Sequence, residues 1–200
     1  MSLAAQHIAF AGIDGSGKTT QAQLLVGRLN TAGWSAKLDT SKDEFAFDVL
    51  RATIGTGDWG QIREVVGHAT MDLLGALQWA RRRTSAAAMT AAGLSVVSDR
   101  SDLCRIVLAM SVGRRLPEHV QQVLSFGGRP DLTVWLDVDP AEALYRIHAR
   151  GLDTEPPAQL VAMRDAYEQL RTEASLVRVD AAGRDAEVAA RVWAAVAGRS

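Results

Sequence analysis

The stretch His7-Ile8-Ala9-Phe10-Ala11-Gly12-Ile13-Asp14-Gly15-Ser16-Gly17-Lys18-Thr19-Thr20 runs from apolar residues into glycines and ends on a lysine and two threonines. It reads as strand, loop, helix. Gly12, Gly17, Lys18 and Thr19 fit the spacing G-x-x-x-x-G-K-[ST] of a phosphate-binding loop, in the strand-to-helix context that pattern requires. Each residue type has a physical task. Gly12, Gly15 and Gly17 lack a Cβ, so the backbone can take positive φ and bring the N–H groups around Ser16 close to an anion. A helix starting near Lys18 adds unpaired N–H groups and the positive end of its dipole. Lys18 would neutralise β- and γ-phosphate charge. Thr19, with Thr20 beside it in the first turn, would offer a hydroxyl to Mg²⁺.

The rest of the chain alternates strands with helices. Helix one covers Gln21 to Ala32 and stops at Gly33; Ser35 to Thr40 reads as a second strand, and a helix follows from Phe45 to Ile54. A long helical stretch, interrupted once, runs from Ile62 to Ala91, and Leu94 to Ser98 is a buried strand ending on Asp99-Arg100. Residues 102–112 and 117–126 read as helical, and Leu132 to Val138 as the clearest strand after the first. Pro140 opens a helix to Arg150; a helix over Ala158 to Glu173, a short strand over Leu176 to Val179 and a helix over Asp185 to Ala197 complete the pattern. Such alternation predicts an α/β fold with a parallel sheet flanked by helices. Two hundred residues at 48% hydrophobic content suit one domain, 1–200, with a short polar lid around 151–158.

Charge narrows the partners. A formal net charge of -1 gives no basic field for nucleic acid or a membrane surface. No apolar window is long enough to span a bilayer, and the N-terminus lacks a charged leader region, so neither a membrane segment nor a signal peptide is expected. The single Cys104 excludes an internal disulfide framework and points to a reducing, cytoplasmic setting.

Ligands of open parallel sheets bind beyond the carboxyl ends of the strands, so residues closing a strand are the candidates for chemistry. Asp99 closes one and could hold Mg²⁺ through water, while Arg100 could fork onto a phosphate oxygen. Asp137 and Asp139 close another, where capping the helix at Pro140 competes with a ligand role. Arg146 and Arg150 share a helix face at the base of the lid. Of Arg81-Arg82-Arg83, at most one or two can face a site. Trp79 could stack on a base or pack in the core.

With these residues placed, the chain resembles the thymidylate kinase family of P-loop nucleoside-monophosphate kinases over nearly its whole length. Residues 10–21 resemble the family's opening loop and Ser98-Asp99-Arg100 its Asp-Arg motif; residues 130–140 are similar to its fourth strand, Arg146 with Arg150-Gly151 to its lid entry, and Val179-Asp180-Ala181 to its last strand. The resemblance implies a three-layer fold on a five-stranded parallel sheet of order 2-3-1-4-5, and transfer of the ATP γ-phosphate to a small acceptor, dTMP by default, with Mg²⁺. A homodimer is also implied. Asp14 would accept hydrogen bonds from the acceptor's sugar, Asp99 would serve Mg²⁺ and the acceptor side, Arg100 would bind phosphate, Arg146 would lie along the adenine, and Arg150 would approach the phosphates.

The departures fall on the acceptor pocket. The family's Thr-Arg-Glu-Pro after strand two is Thr40-Ser41-Lys42-Asp43 here, so Lys42 is the candidate substitute for an arginine whose planar fork it cannot reproduce. Ser101 stands where an aromatic residue is expected, and Leu108-Ala109 where a Tyr-Gln pair reads thymine. The base-stacking arginine falls near Gln78 or Trp79, with Arg81 a turn on. The lid has Asp153-Thr154-Glu155 in place of Asp-Arg-x-Glu. Donor chemistry is kept, and the acceptor is open: another nucleotide, a nucleoside or a specialised metabolite would be compatible, as would nucleotide binding without catalysis.

Overall fold

Strands buried on both faces read as continuous apolar runs, because helices cover each side of a parallel sheet. β1 (His7–Ala11), β3 (Ser95–Ser98) and β4 (Leu132–Asp137) are each buried along their whole length, mostly apolar but with His7, Ser95, Ser98, Thr133 and Asp137 as buried polar members. β2 (Ala36–Asp39) and β5 (Leu176–Asp180) are the edges, and they carry the exposed Lys37 and Arg178. All pairings are parallel, in the order β2-β3-β1-β4-β5, as the resemblance implied. The computed structural model describes residues 5–40, 45–151, 156–172 and 176–198. Lys42 and the lid residues 152–155 lie outside them.

Helices fill the connections: α1 (Lys18–Thr31), α2 (Phe45–Ile54), α3 (Trp59–Ala91), α4 (Leu103–Ser111), α5 (Glu118–Ser125), α6 (Pro140–Ala149), α7 (Pro157–Gln169) and α8 (Asp185–Ala197). α1 buries Gln21, Ala22, Leu25 and Leu29, one face at helical spacing. It packs with α8, through Val188, Val192 and Val196, into the main core around Ile8, Phe10, Val134 and Leu136. A second cluster joins α3, α4 and α5 through Ala76, Ala109, Val120 and Leu124.

Element boundaries moved for local reasons. α3 begins at Trp59, three residues earlier than the periodicity suggested, because Asp58 caps it: its Oδ1 accepts from Gly60 N at 2.6 Å and Gln61 N at 3.3 Å. Its interruption is Gly67, at φ 79° and ψ 157°, a conformation that costs a glycine little and other residues much. α7 ends at Gln169 and tightens into a 3₁₀ turn over Leu170–Thr172, short of the expected Glu173.

A polar chain crosses the sheet beneath α3. Asp39 accepts from the Arg82 guanidinium at 2.8 Å and from Ser98 Oγ at 3.1 Å. A hydroxyl has one hydrogen, so the 2.9 Å contact between Ser98 Oγ and His7 Nε2 is donated by His7, which fixes the neutral ring's tautomer. Burial lowers the His7 pKa from 6.5 to about 4. Between those values the unfolded chain binds a proton that the folded protein refuses, so stability falls as pH drops through this window. The expected loss is about 3 kcal/mol at ~1.4 kcal/mol per pH unit. Urea denaturation from pH 7 to 4 should show it, and His7→Asn should remove that slope.

Candidate active site

The order β2-β3-β1-β4-β5 makes the carboxyl end of β1 a topological switch point, where neighbouring connections leave in opposite directions and open a crevice. The glycine loop sits there. Gly12, Gly15 and Gly17 have φ of 142°, 81° and 89°, so the loop curls its amides inward in a way side-chain-bearing residues rarely follow. Gly17 passes directly into α1. Ser16 is buried, and its Oγ has no hydrogen-bond partner. An unsatisfied buried hydroxyl inside a concave ring of amides is suited to a phosphate oxygen.

Two of the glycines differ in their surroundings. A Cβ on Gly15 would stand 2.4 Å from the Ala143 carbonyl oxygen of α6, whereas one on Gly17 would meet nothing within 4 Å. Gly17→Ala is therefore expected to cost only its backbone strain, about 1 kcal/mol. Gly15→Ala must also push α6 off the loop, for about 2–4 kcal/mol in all. Chemical denaturation of the two variants side by side checks the order.

Lys18 is buried, and its Nζ donates to the carbonyls of Gly12 at 2.9 Å and Ile13 at 2.7 Å. Asp14 Oδ1 lies 3.5 Å from that ammonium and 3.0 Å from the Arg100 guanidinium. Burial pulls the Lys18 ammonium below its ordinary pKa, and Asp14 offsets part of that. Burial alone would raise the Asp14 carboxyl, but Lys18 and Arg100 outweigh it and hold the group below its usual range. Asp14 thus fixes two cations at the mouth of the nest. Phosphate oxygens could replace it as their partner.

Thr19 Oγ1 donates to Asp99, 2.9 Å from Oδ2 and 3.1 Å from Oδ1. A hydroxyl and a carboxylate converging beside the glycine loop form a hard-oxygen pair of the kind suited to Mg²⁺, which takes one or two protein oxygens and completes its shell with phosphates and water. Among the described residues no group of three or more His, Cys, Asp or Glu could hold a metal by itself. Thr20 is half-buried, one residue further along α1.

On the other flank, Arg146 of α6 reaches the carbonyls of Gly15 at 3.5 Å, Ala181 at 3.0 Å and Gly183 at 3.5 Å, and it also pairs with Glu142. It bridges the loop and the segment after β5, forming a planar wall beside the nest. Arg150 is exposed at the C-cap of that helix, one turn beyond, and makes no ion pair among the described residues. Asp139 does cap α6, accepting from Ala141 N at 2.8 Å. Asp137 is bound instead by Arg164 and Arg178, each within 3.1 Å.

On the acceptor side, Gln78 is half-buried and Arg81 is exposed on α3. The inward members of the arginine triplet are Arg82, on Asp39, and Arg83, buried and 3.3 Å from Asp102. Arg82 also lies over the Trp79 ring at 4.4 Å. Sequence reasoning gave no role to Tyr167, whose hydroxyl lies 3.4 Å from the Gly12 carbonyl, or to Arg105, which covers Gly75. The buried i, i+3, i+4 positions of α7, namely Met163, Ala166 and Tyr167, were the available signal for the first.

A glycine nest at the switch point of a sheet in this order, with lysine in the nest and threonine and aspartate beside it, defines a P-loop kinase fold. Relatives narrow the class. The chain is 33% identical over 205 residues to a thymidylate kinase of Synechococcus sp. (strain JA-2-3B'a(2-13)), covering 94% of this chain and 93% of that protein. It is 32% identical to a thymidylate kinase of Synechococcus sp. (strain JA-3-3Ab), covering 94% of each. A thymidylate kinase of Ruegeria pomeroyi is 34% identical over 159 residues, 75% of this chain and 71% of that one. No family model matches the chain. The protein belongs to the thymidylate kinase family, and is an enzyme. No helix among the described residues is long and apolar enough to cross a membrane.

Proposed function

We propose that the protein transfers the γ-phosphoryl group of ATP, with Mg²⁺, to a nucleoside monophosphate, dTMP being the default acceptor. The observation that carries this reading is the loop itself: positive φ at Gly12, Gly15 and Gly17, an unsatisfied Ser16 hydroxyl, and the Lys18 ammonium folded back onto the loop carbonyls. The names of the relatives support the acceptor class.

Phosphoryl transfer needs positioning and charge neutralisation more than covalent chemistry from the protein. The loop amides and Lys18 would hold the donor's phosphates in line. Thr19 and Asp99 are the residues that would hold Mg²⁺, which supplies charge neutralisation across the phosphate oxygens when bound. Arg100, placed by Asp14, would draw the acceptor's phosphate towards the same point. Arg146 would flank the donor's base, and Arg150 would approach the phosphates from the lid. Lys42, Gln78 and Arg81 stay candidates on the acceptor side. A homodimer follows from the family likeness, and the lone buried Cys104 agrees with a cytoplasmic setting.

A coupled assay of ADP release with ATP, Mg²⁺ and dTMP, dUMP, CMP or nucleosides tests the reading. Turnover of dTMP is the expected result; turnover of another member alone would end the default, and turnover of none would leave nucleotide binding without catalysis. The second possibility has a specific observation behind it, the pocket between α3 and α4.

A further inference from the structure

A cavity of about 360 Å³ lies between α3 and α4 and reaches Gln159 at the start of α7. Two matched stripes build it. Arg105, Leu108, Ala109 and Val112 stand at i, i+3, i+4 and i+7 along α4, and His68, Met71 and Asp72 follow the same rule along α3. Gly75 continues the α3 stripe and lies against Arg105.

Its position ties it to the proposed site. Arg82 of α3 bonds Asp39 at the carboxyl end of β2. Asp72 lies ten residues before it, about 15 Å further out along the helix at 1.5 Å per residue. The cavity therefore opens on the carboxyl side of the sheet, the side of the phosphate nest. Arg100, at the nest, and Arg105, at the cavity, stand at the two ends of a short stretch leading into α4. An acceptor with its reacting phosphate at Arg100 could extend its far end along this stretch.

The lining is unusual for a pocket that receives a neutral base. Arg63, Arg105 and Arg114 bring three guanidiniums against the single carboxylate of Asp72. Asp72 is already engaged by Arg114, and by Arg105 at 3.8 Å; Arg105 also donates to the Met71 carbonyl at 2.9 Å. Arg63 makes no ion pair among the described residues. Gly75 and Arg105 are matched: a Cβ at 75 would stand 2.4–2.6 Å from the guanidinium of Arg105. Any side chain there would displace the arginine, so the glycine is what admits a cation to the pocket. Burial pulls the Arg105 guanidinium below its ordinary pKa; Asp72 works against this, and Arg63 and Arg114 add to it. An anion beside it would relieve that crowding. Where thymine would be read by polar side chains, Leu108 and Ala109 offer none.

We propose that this cavity receives the end of the acceptor remote from the transferred phosphoryl group, and that this end carries an acid group met by Arg63 and Arg105. The inference rests on the kinase reading for the acceptor's orientation, and names its substrate class: nucleotides bearing a carboxylate on the base.

The probes are dTMP, its 5-carboxy counterpart, which differs only by carboxylate for methyl, and orotidine 5′-monophosphate, which carries the acid at another ring position. Calorimetry on the native protein should show at least one acid-bearing nucleotide binding at least about tenfold tighter than dTMP, as expected for one charge-assisted contact. Arg105→Gln and Arg63→Gln should each shrink that preference about tenfold. Arg63 is exposed, so its variant tests the pocket even if Arg105→Gln fails to fold. Equal or tighter binding of dTMP, or a preference unchanged in Arg63→Gln, overturns the proposal. ADP release with the same probes decides the kinase reading separately: an arginine-dependent affinity without turnover leaves the pocket standing and ends the kinase.

Discussion

Lys18→Ala is expected to lower kcat/KM for phosphoryl transfer by about 10³-fold or more while the protein stays folded. Such a loss corresponds to about 4 kcal/mol of transition-state stabilisation, the scale of one preorganised cationic donor in a site shielded from water. The geometry makes the two effects separable. Lys18 is buried, with its Nζ on the carbonyls of Gly12 and Ile13. Removing it deletes two hydrogen bonds, but also a charge whose burial is unfavourable. Asp14 retains its other partner, since Arg100 stands 3.0 Å away. The net change in unfolding free energy should stay within about 2 kcal/mol. Steady-state ADP release together with urea denaturation of the same preparation checks both. Near-normal rates would remove the lysine from the mechanism, and a collapsed fold would mean that the loop, not the charge, was lost.

What could be read from the chain in advance was what is decided locally. The glycine spacing from Gly12 to Gly17, the strand ending on Asp99 and the Asp139-Pro140 helix start each depend on a few adjacent residues, and the structure has them where the spacing put them. The sheet order required the family likeness as well, because alternation alone does not say on which side of β1 each strand falls. Pairings between distant residues were out of reach. The engagement of Asp39 by Arg82, of Asp137 by Arg164 and Arg178, and the fit of Arg105 over Gly75 join positions 27 to 43 residues apart, and only the folded chain brings them together. The arginine triplet shows how near local reasoning came. It could say that few of the three face inward, but choosing Arg82 and Arg83 over Arg81 needed the rotation of α3 about its axis, which Gly67 resets. The α3 and α4 stripes were visible as periodicity, yet nothing in either one said that it faced the other.

Trp135→Ala should be the most destabilising single substitution in the strands, at about 3–5 kcal/mol. Trp135 is 1% exposed in the fourth strand and lies stacked on Tyr167, their ring centroids 5.7 Å apart and their planes 21° from parallel. Arg178 covers it from outside at 5.3 Å. A methyl group in its place leaves a cavity under α7 that rigid strands on either side cannot close, so the cost includes lost packing as well as lost burial. The damage should not stop at stability. Tyr167, held by the indole, places its hydroxyl 3.4 Å from the Gly12 carbonyl and 3.2 Å from Cys104 Sγ. Gly12 O is the same oxygen that accepts from Lys18. The tryptophan thus supports the glycine loop through one intervening ring, and ATP affinity should weaken in Trp135→Ala beyond what its unfolded fraction explains. Tyr167→Phe separates the contributions: it keeps the stacked ring and removes the hydroxyl, so it should cost only about 1 kcal/mol in stability. Denaturation curves with ATP titrations under conditions where each variant is folded provide the measurement. A loss below 1 kcal/mol for Trp135→Ala would mean that the nest is not braced from beneath by this pair, and that the loop's own glycines and the Ala143 contact hold its shape alone.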